Sequence, residues 1–447
     1  MMMKRRELLC AGGTALLAPL AGATPAAAPS PANSPDRLNE ALRTLATDER
    51  YPLAGVSVLL MRSGKVVQDA QVGHRHYAPD LPIDRDTLFR VASISKLITG
   101  LGALRLAEMG KLDLDADIRD VLGVRVRNPN FPKDQISAAM LMSHLSSLRD
   151  DGGIAFPADV SLLDKLNAEG SKSWSADHGP RWFAYCNLNY GLLATVMEKA
   201  SGQRFDQLMR ELVLTPLGMF GGFNAMDFSE MERNNTATPY RKQRIEPGKD
   251  GKEDREVWDA TAPWRPQADD WAVNPPKPIA NLDAYVPGRN GTLFGPQGGL
   301  RTRVGDLGTV LAMFMNGGMH QGKRFLKKSS LDRMFSESWR HEMSKGNGDN
   351  FGGEFLAWGT GAQHFIDKSG PGWGDRLLQR GGVQAWGHLG FAYGVQAGIM
   401  VDAARQHGIV YVMSGHAADP QSHRGRFSSF PVWEEQLHDL LWNAVLA

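Results

Sequence analysis

The chain has 447 residues, 42% hydrophobic and 22% charged, and 50 basic against 49 acidic residues leave a formal net charge of +1. That balance gives no support to a nucleic-acid partner, which usually needs a clustered basic surface. No apolar run approaches the roughly 18 residues needed to span a bilayer, so no stable membrane anchor is expected.

In chain order, Lys4, Arg5 and Arg6 precede a short apolar stretch from Leu8 to Leu20. Small residues follow at Ala21-Gly22-Ala23 and Ala26-Ala27-Ala28. The pattern predicts an export signal over residues 1–28, and Arg5-Arg6 ahead of Leu8-Leu9 resembles a twin-arginine signal. Ala23 fits a cleavage site, whereas cutting after Ala28 would leave Pro29 at the new terminus. The expected location is periplasmic or secreted. Cys10 would leave with the signal, and Cys186 would then have no partner for an internal disulfide. Residues 29–37, built from Pro, Ala, Asn and Ser, read as a linker, and residues 38–447 as one domain.

Val56 to Arg62 and Val66 to Val72 read as a hairpin turning at Ser63-Gly64-Lys65. From Asp86 to about Leu217 the pattern is mostly helical. Residues 230–295 are polar and rich in Pro, Asp and Trp, and read as a long excursion with little regular structure, which in loops of this size is usually functional or mobile. Gly394 to Val401 and Gly408 to Ser414 read as strands, and Trp433 to Leu446 as an amphipathic helix. Strands at both ends with helices between predict an α/β (α+β) fold. One antiparallel sheet would be built from both chain ends, with flanking helices and an inserted helical region. The cleft at that junction is the default place for a site.

Three segments carry chemistry. In Phe89-Arg90-Val91-Ala92-Ser93-Ile94-Ser95-Lys96 the serine opens a helix and Lys96, three residues on, shares its face. A serine hydroxyl is a poor nucleophile until a neighbour takes its proton, and a lysine does so only when neutral. The spacing alone recurs by chance in a chain this long, so its partners matter. Tyr185-Cys186-Asn187 precedes a helix running to about Ala200. Tyr185 could act as a phenolate if a cation lowered its pKa, and the Asn187 amide could hold both Lys96 and a substrate carbonyl. In Trp386-Gly387-His388-Leu389-Gly390-Phe391 the glycines allow close backbone approach, and His388 could supply a hydrogen bond or a proton. His74-x-His76 with Asp80 reads as a hairpin edge rather than a metal site.

These segments, in this order, resemble the serine β-lactamase and penicillin-binding-protein superfamily. The likeness is greatest to its class C β-lactamase, D,D-peptidase and family VIII esterase branch. Leu141-Met142-Ser143-His144-Leu145-Ser146-Ser147-Leu148 and Gly298-Gly299-Leu300-Arg301-Thr302 resemble further family segments. The resemblance covers about Leu38 to the C-terminus. It implies that Ser93 is acylated and that Lys96 and Tyr185 share proton transfer, with either as the base. It further implies that Asn187 orients Lys96 and substrate, and that the N–H groups of Ser93 and Phe391, beside Gly390, form an oxyanion hole. It implies no metal or organic cofactor, and a small-molecule or peptide substrate.

The third segment carries His388-Leu389-Gly390, the family's His-x-Gly form, and not the Lys-Thr-Gly whose lysine and threonine help β-lactamases and peptidases bind a substrate carboxylate. A neutral histidine and a leucine weaken carboxylate recognition unless an arginine (Arg301, Arg376 or Arg380) replaces it. Esters, or peptides and amides with D-configured residues, are therefore the expected substrates. A β-lactamase or D,D-carboxypeptidase is the second reading. A non-catalytic penicillin-recognising receptor is the alternative of another class.

Overall fold

The computed structural model describes residues 35–248 and 253–447. The expected export signal lies outside them. Of the expected linker only the end is described, and there the first helix, α1 (Pro35–Ala46), has already begun. Proline fits the first helical position because its fixed φ suits the helix and its missing N–H is not needed. Leu38, Leu42 and Ala46 then recur at helical spacing and are buried.

The frame is a nine-stranded sheet. The N-terminal side supplies β1 (Gly55–Arg62), β2 (Lys65–Tyr77) and β3 (Asp80–Pro82). The C-terminal side supplies β4 (Trp339–Arg340), β5 (Ala357–Trp358), β6 (Gln363–Phe365), β7 (Ala385–Ala392), β8 (Val395–Asp402) and β9 (His407–Met413). The order is β4-β5-β6-β7-β8-β9-β1-β2-β3, antiparallel at every step. The two chain ends meet where β1 pairs with β9, Val56 opposite Met413. The anticipated hairpins are present, and the Trp386–Phe391 segment proves to be a full strand.

Both faces of the sheet are covered, which is why β1 and β8 are buried almost end to end, and are mostly apolar, rather than alternating between buried and exposed. Helix α4 (Val304–Met315) packs on one face, and α1 with α5 (Val432–Leu446) on the other. Leu59, Val310 and Val410 belong to the first core layer, and Val58, Ile409 and Leu441 to the second. Helices α2 (Ile94–Glu108) and α3 (Leu188–Ser201) lie in the first layer. Both are buried nearly all round, as helices without a polar face must be.

The 230–295 excursion differs from its expectation. It holds a short helix, Glu230–Asn234, and strands Tyr240–Glu246, Arg255–Trp258 and Trp264–Pro266. The first strand also pairs in parallel with Gly415–His416, tying the excursion to the chain just beyond β9. Its charged residues hide the strand pattern because they lie along aromatic faces: Arg241 over Trp258 at 5.5 Å and Lys242 over Trp264 at 5.2 Å.

Candidate active site

Ser93 is the N-cap residue of α2. The turn before it is strained: Ala92 has a φ of +45°, a left-handed conformation that costs a non-glycine residue about 1–3 kcal/mol. The turn is braced by the Gly298–Leu300 segment. Val91 N–H donates to the Leu300 carbonyl at 3.1 Å, and Leu300 N–H donates to Ser95 Oγ at 3.0 Å.

Lys96 is fully buried, and its Nζ has three polar neighbours. These are Ser93 Oγ at 2.9 Å, Asn187 Oδ1 at 2.8 Å and the Gln297 carbonyl at 2.9 Å. Burial lowers its pKa to about 7, with the Asp150 charge pulling the other way. A neutral amine has two N–H donors and one lone pair. Asn187 Oδ1 and the Gln297 carbonyl can only accept, so they take both donors, and the lone pair is left facing Ser93 Oγ.

Asp150 was not legible in the sequence and fixes this arrangement. Its carboxylate accepts from Asn187 Nδ2 at 2.8 Å, Asn187 N–H at 3.0 Å, Leu188 N–H at 3.0 Å and Cys186 Sγ at 3.1 Å. The contact with Nδ2 turns Oδ1 toward Lys96. The backbone contacts cap the first turn of α3 in place of a local side chain.

Tyr185 lies beside both groups, its ring 4.9 Å from Lys96 Nζ and its hydroxyl near enough to the Ser93 side chain to feel it. Burial raises its pKa above the ordinary value, and the neighbouring Ser93 side chain only partly offsets this. The phenolate considered from sequence is thus disfavoured, and of the two groups Lys96 is the one poised to accept a proton.

Strand β7 forms the facing wall. Strand β6 covers only Ala385–Gly387, so the remainder of β7 presents an open edge. A Cβ on Gly390 would stand 2.5 Å from the Val91 carbonyl, so only glycine lets the strand close on the nucleophile turn. Phe391 follows with a side chain 52% exposed. His388 is buried, and burial followed by the Lys96 charge lowers its pKa to about 3. Its Nδ1 bonds the Leu389 carbonyl at 2.5 Å, and its Nε2 has no partner among the described residues. His388 is therefore neutral and can accept a hydrogen bond, but it holds no proton to donate as an imidazolium.

A family model described as Beta-lactamase matches residues 38–427. The chain belongs to the beta-lactamase family. Among curated relatives of this beta-lactamase-family chain, Penicillin-binding protein 4* of Bacillus subtilis is 28% identical over 179 residues, 38% of each chain. Esterase EstB of Burkholderia gladioli is 29% identical over 210 residues, 44% of this chain and 52% of the esterase. These matches span only about two fifths to one half of the relatives' length. Among solved structures, D-amino acid amidase from Ochrobactrum anthropi SV3 shares the fold with a TM-score of 0.61 at 20% identity, covering 92% of this chain and 99% of the amidase.

Within this beta-lactamase-family fold the proposed arginine substitutes are paired with carboxylates or exposed. Arg301 and Arg90 both clamp the buried Asp269, at 2.6 Å and 2.9 Å, and Arg376 pairs with Asp367 at 2.9 Å. Arg380 is exposed. Leu389 packs into the layer shared with α1 and α5, on the sheet face away from the nucleophile. Cys186 is buried, with burial and Asp150 raising its pKa well above the ordinary thiol value. His144 accepts the Cys186 N–H at 3.1 Å, holding the Tyr185–Asn187 turn. Ser147, where relatives often have Gly, has a φ of +69°. His74 pairs with Asp80 at 3.1 Å while His76 bonds Thr238 at 2.9 Å. Among the described residues no group of three His, Cys, Asp or Glu side chains converges as a metal site.

Proposed function

We propose that this chain is a serine hydrolase that works through an acyl-enzyme on Ser93, acting on carboxylic esters or on amides and peptides with D-configured residues. The observation that carries the proposal is the lone-pair arithmetic at Lys96 Nζ: two acceptors use its N–H groups and Ser93 Oγ takes the third direction. The neutral amine removes the Ser93 proton as Oγ attacks the substrate carbonyl. Tyr185, neutral and beside Ser93 and Lys96, passes that proton toward the leaving group. The developing oxyanion faces the N–H groups of Ser93, at the positive end of α2, and of Phe391 on the open edge of β7. Water then attacks the acyl-enzyme, with the same amine as base, and releases the acid. No step calls for a metal or an organic cofactor.

The relatives named as an esterase and an amidase support this substrate range. Arg6-Glu7-Leu8-Leu9 and the residues around it support export to the periplasm or beyond. The test is a screen of p-nitrophenyl esters, D-amino acid amides and a fluorescent penicillin against wild type and Ser93→Ala. Hydrolysis of esters or D-amides by wild type alone is expected. Equal rates in both proteins would defeat the reading.

A further inference from the structure

A second pocket lies behind the wall that β7 presents to the nucleophile. Its volume is about 130 Å³. Gly390 and Phe391 belong to both spaces, and Leu389 points into the second one. Four polar side chains reach it from separate parts of the fold. Glu354 comes from the segment before β5, Gln396 from β8, Arg424 from the loop before α5, and Glu434 from α5 itself.

Their hydrogen bonds are unevenly satisfied. Glu434 is fully engaged, accepting from the Tyr411 hydroxyl at 2.6 Å and Gln396 Nε2 at 3.2 Å. Burial, outweighing the Tyr411 hydrogen bond, raises its pKa to about 8. The Glu354 carboxylate has no hydrogen-bond partner and no ion pair among the described residues; burial raises its pKa to about 7, and the Arg424 charge opposes the rise. The Arg424 guanidinium is anchored to the Ser429 carbonyl and likewise has no ion pair among the described residues. An acid and a base thus line one small pocket without reaching each other. Each is left short of a counter-charge, in surroundings where unpaired charge is costly.

That pattern selects the ligand. A lone ammonium would suit Glu354 and be repelled by Arg424, and a lone carboxylate would meet the reverse. A group carrying both charges on one carbon satisfies both, and Leu389, Phe391 and Phe430 offer apolar wall to a short side chain. We propose that this pocket binds the zwitterionic head of an α-amino acid, its ammonium on Glu354 and its carboxylate on Arg424. The assignment deepens the hydrolase reading and rests on it for one consequence. Because β7 is the shared wall, the head group is a distal part of the substrate or a released product. The bond that Ser93 attacks is then not the head's own α-carboxyl.

The test is calorimetric titration of the whole protein with alanine (D and L), propanoate and ethylamine, three probes of similar size that carry both charges or one. One enantiomer of alanine is expected to bind at least about tenfold more tightly than either single-charge probe, a difference of about 1.4 kcal/mol. Glu354→Gln and Arg424→Met should each weaken alanine by about tenfold or more. Propanoate or ethylamine binding as tightly as alanine would overturn the proposal in favour of a plain anion or cation site. So would heat from none of the probes, or alanine binding unchanged in both variants. The comparison among probes needs only wild type, so a variant that fails to fold does not protect the proposal. Calorimetry needs no turnover. A protein that binds alanine but hydrolyses nothing would defeat the hydrolase reading and keep this one.

Discussion

Lys96 is held between opposing influences. Burial drives its proton off, while the Asp150 charge, transmitted past Asn187, favours keeping it. The balance near 7 makes the sign of the pH dependence definite. The amine must be neutral to take the Ser93 proton, so kcat/KM should rise as pH rises through about 7 and level off above it. Lys96→Arg, which stays charged, should lower kcat/KM by about 10²–10⁴-fold at every pH in the profile. Asp150 is a positioning residue, and its role is separable from simple stability. Asp150→Asn removes a charge that raises the Lys96 pKa, so the acid limb of the profile should move to lower pH while kcat falls. Asp150→Ala should also destabilise the fold by about 1–3 kcal/mol in a denaturant titration, since the Asn187 and Leu188 donors lose their acceptor. A stability loss with an unmoved acid limb would reduce Asp150 to a structural cap.

The elements differ in how plainly the sequence announces them. Helix α2 and its Ser93–Lys96 face are readable because three-residue spacing on a helix has one geometric meaning. The β1–β2 hairpin and the β8 and β9 strands are readable from long apolar runs. The rest of the site is assembled from groups without a local signature. The Gln297 carbonyl is backbone, and any residue type could have offered it. Asp150 lies 37 residues from the amide it orients, in a loop whose neighbours give no hint of the contact. Arg424 lines the pocket beside Leu389 and Phe391, whereas Asp269 and Asp367 hold Arg301 and Arg376. The excursion strands were missed because their charged side chains lie on tryptophan faces instead of alternating with apolar ones. Between β7 and α2 the deciding contact is Gly390 against the Val91 carbonyl. Gly390→Ala must push the strand away from the nucleophile turn. It should lower kcat strongly and cost about 1–3 kcal/mol of stability, measured by parallel assays and thermal melts. A variant with normal activity would show that this close approach is not needed.

At the scale of the whole molecule, the chain ends close one sheet, and the middle of the chain supplies the nucleophile above it. Besides its pairing with Gly415–His416, the excursion is fastened to this frame at a buried ion cluster. Asp269 there bridges Arg90, on the short strand Leu88–Arg90, and Arg301, on its partner strand Arg301–Arg303. Burial alone would raise the Asp269 pKa, but the two guanidinium charges hold it well below the usual carboxylate range. Its contribution to stability is therefore present above the ordinary carboxylate pKa near 4 and is lost as pH falls through the depressed value. Asp269→Asn leaves two buried cations facing each other and should destabilise the protein by about 3–5 kcal/mol at neutral pH, which denaturant unfolding would measure. The frame, the fastening and the Lys96 network all converge on one atom, Ser93 Oγ. The most direct measurement is mass spectrometry of the protein quenched during turnover of a p-nitrophenyl ester, followed by mapping of the acylated peptide. One added acyl group is expected on Ser93 in wild type and none in Ser93→Ala. An acyl group carried on another residue, or turnover that persists unchanged in Ser93→Ala, would contradict it.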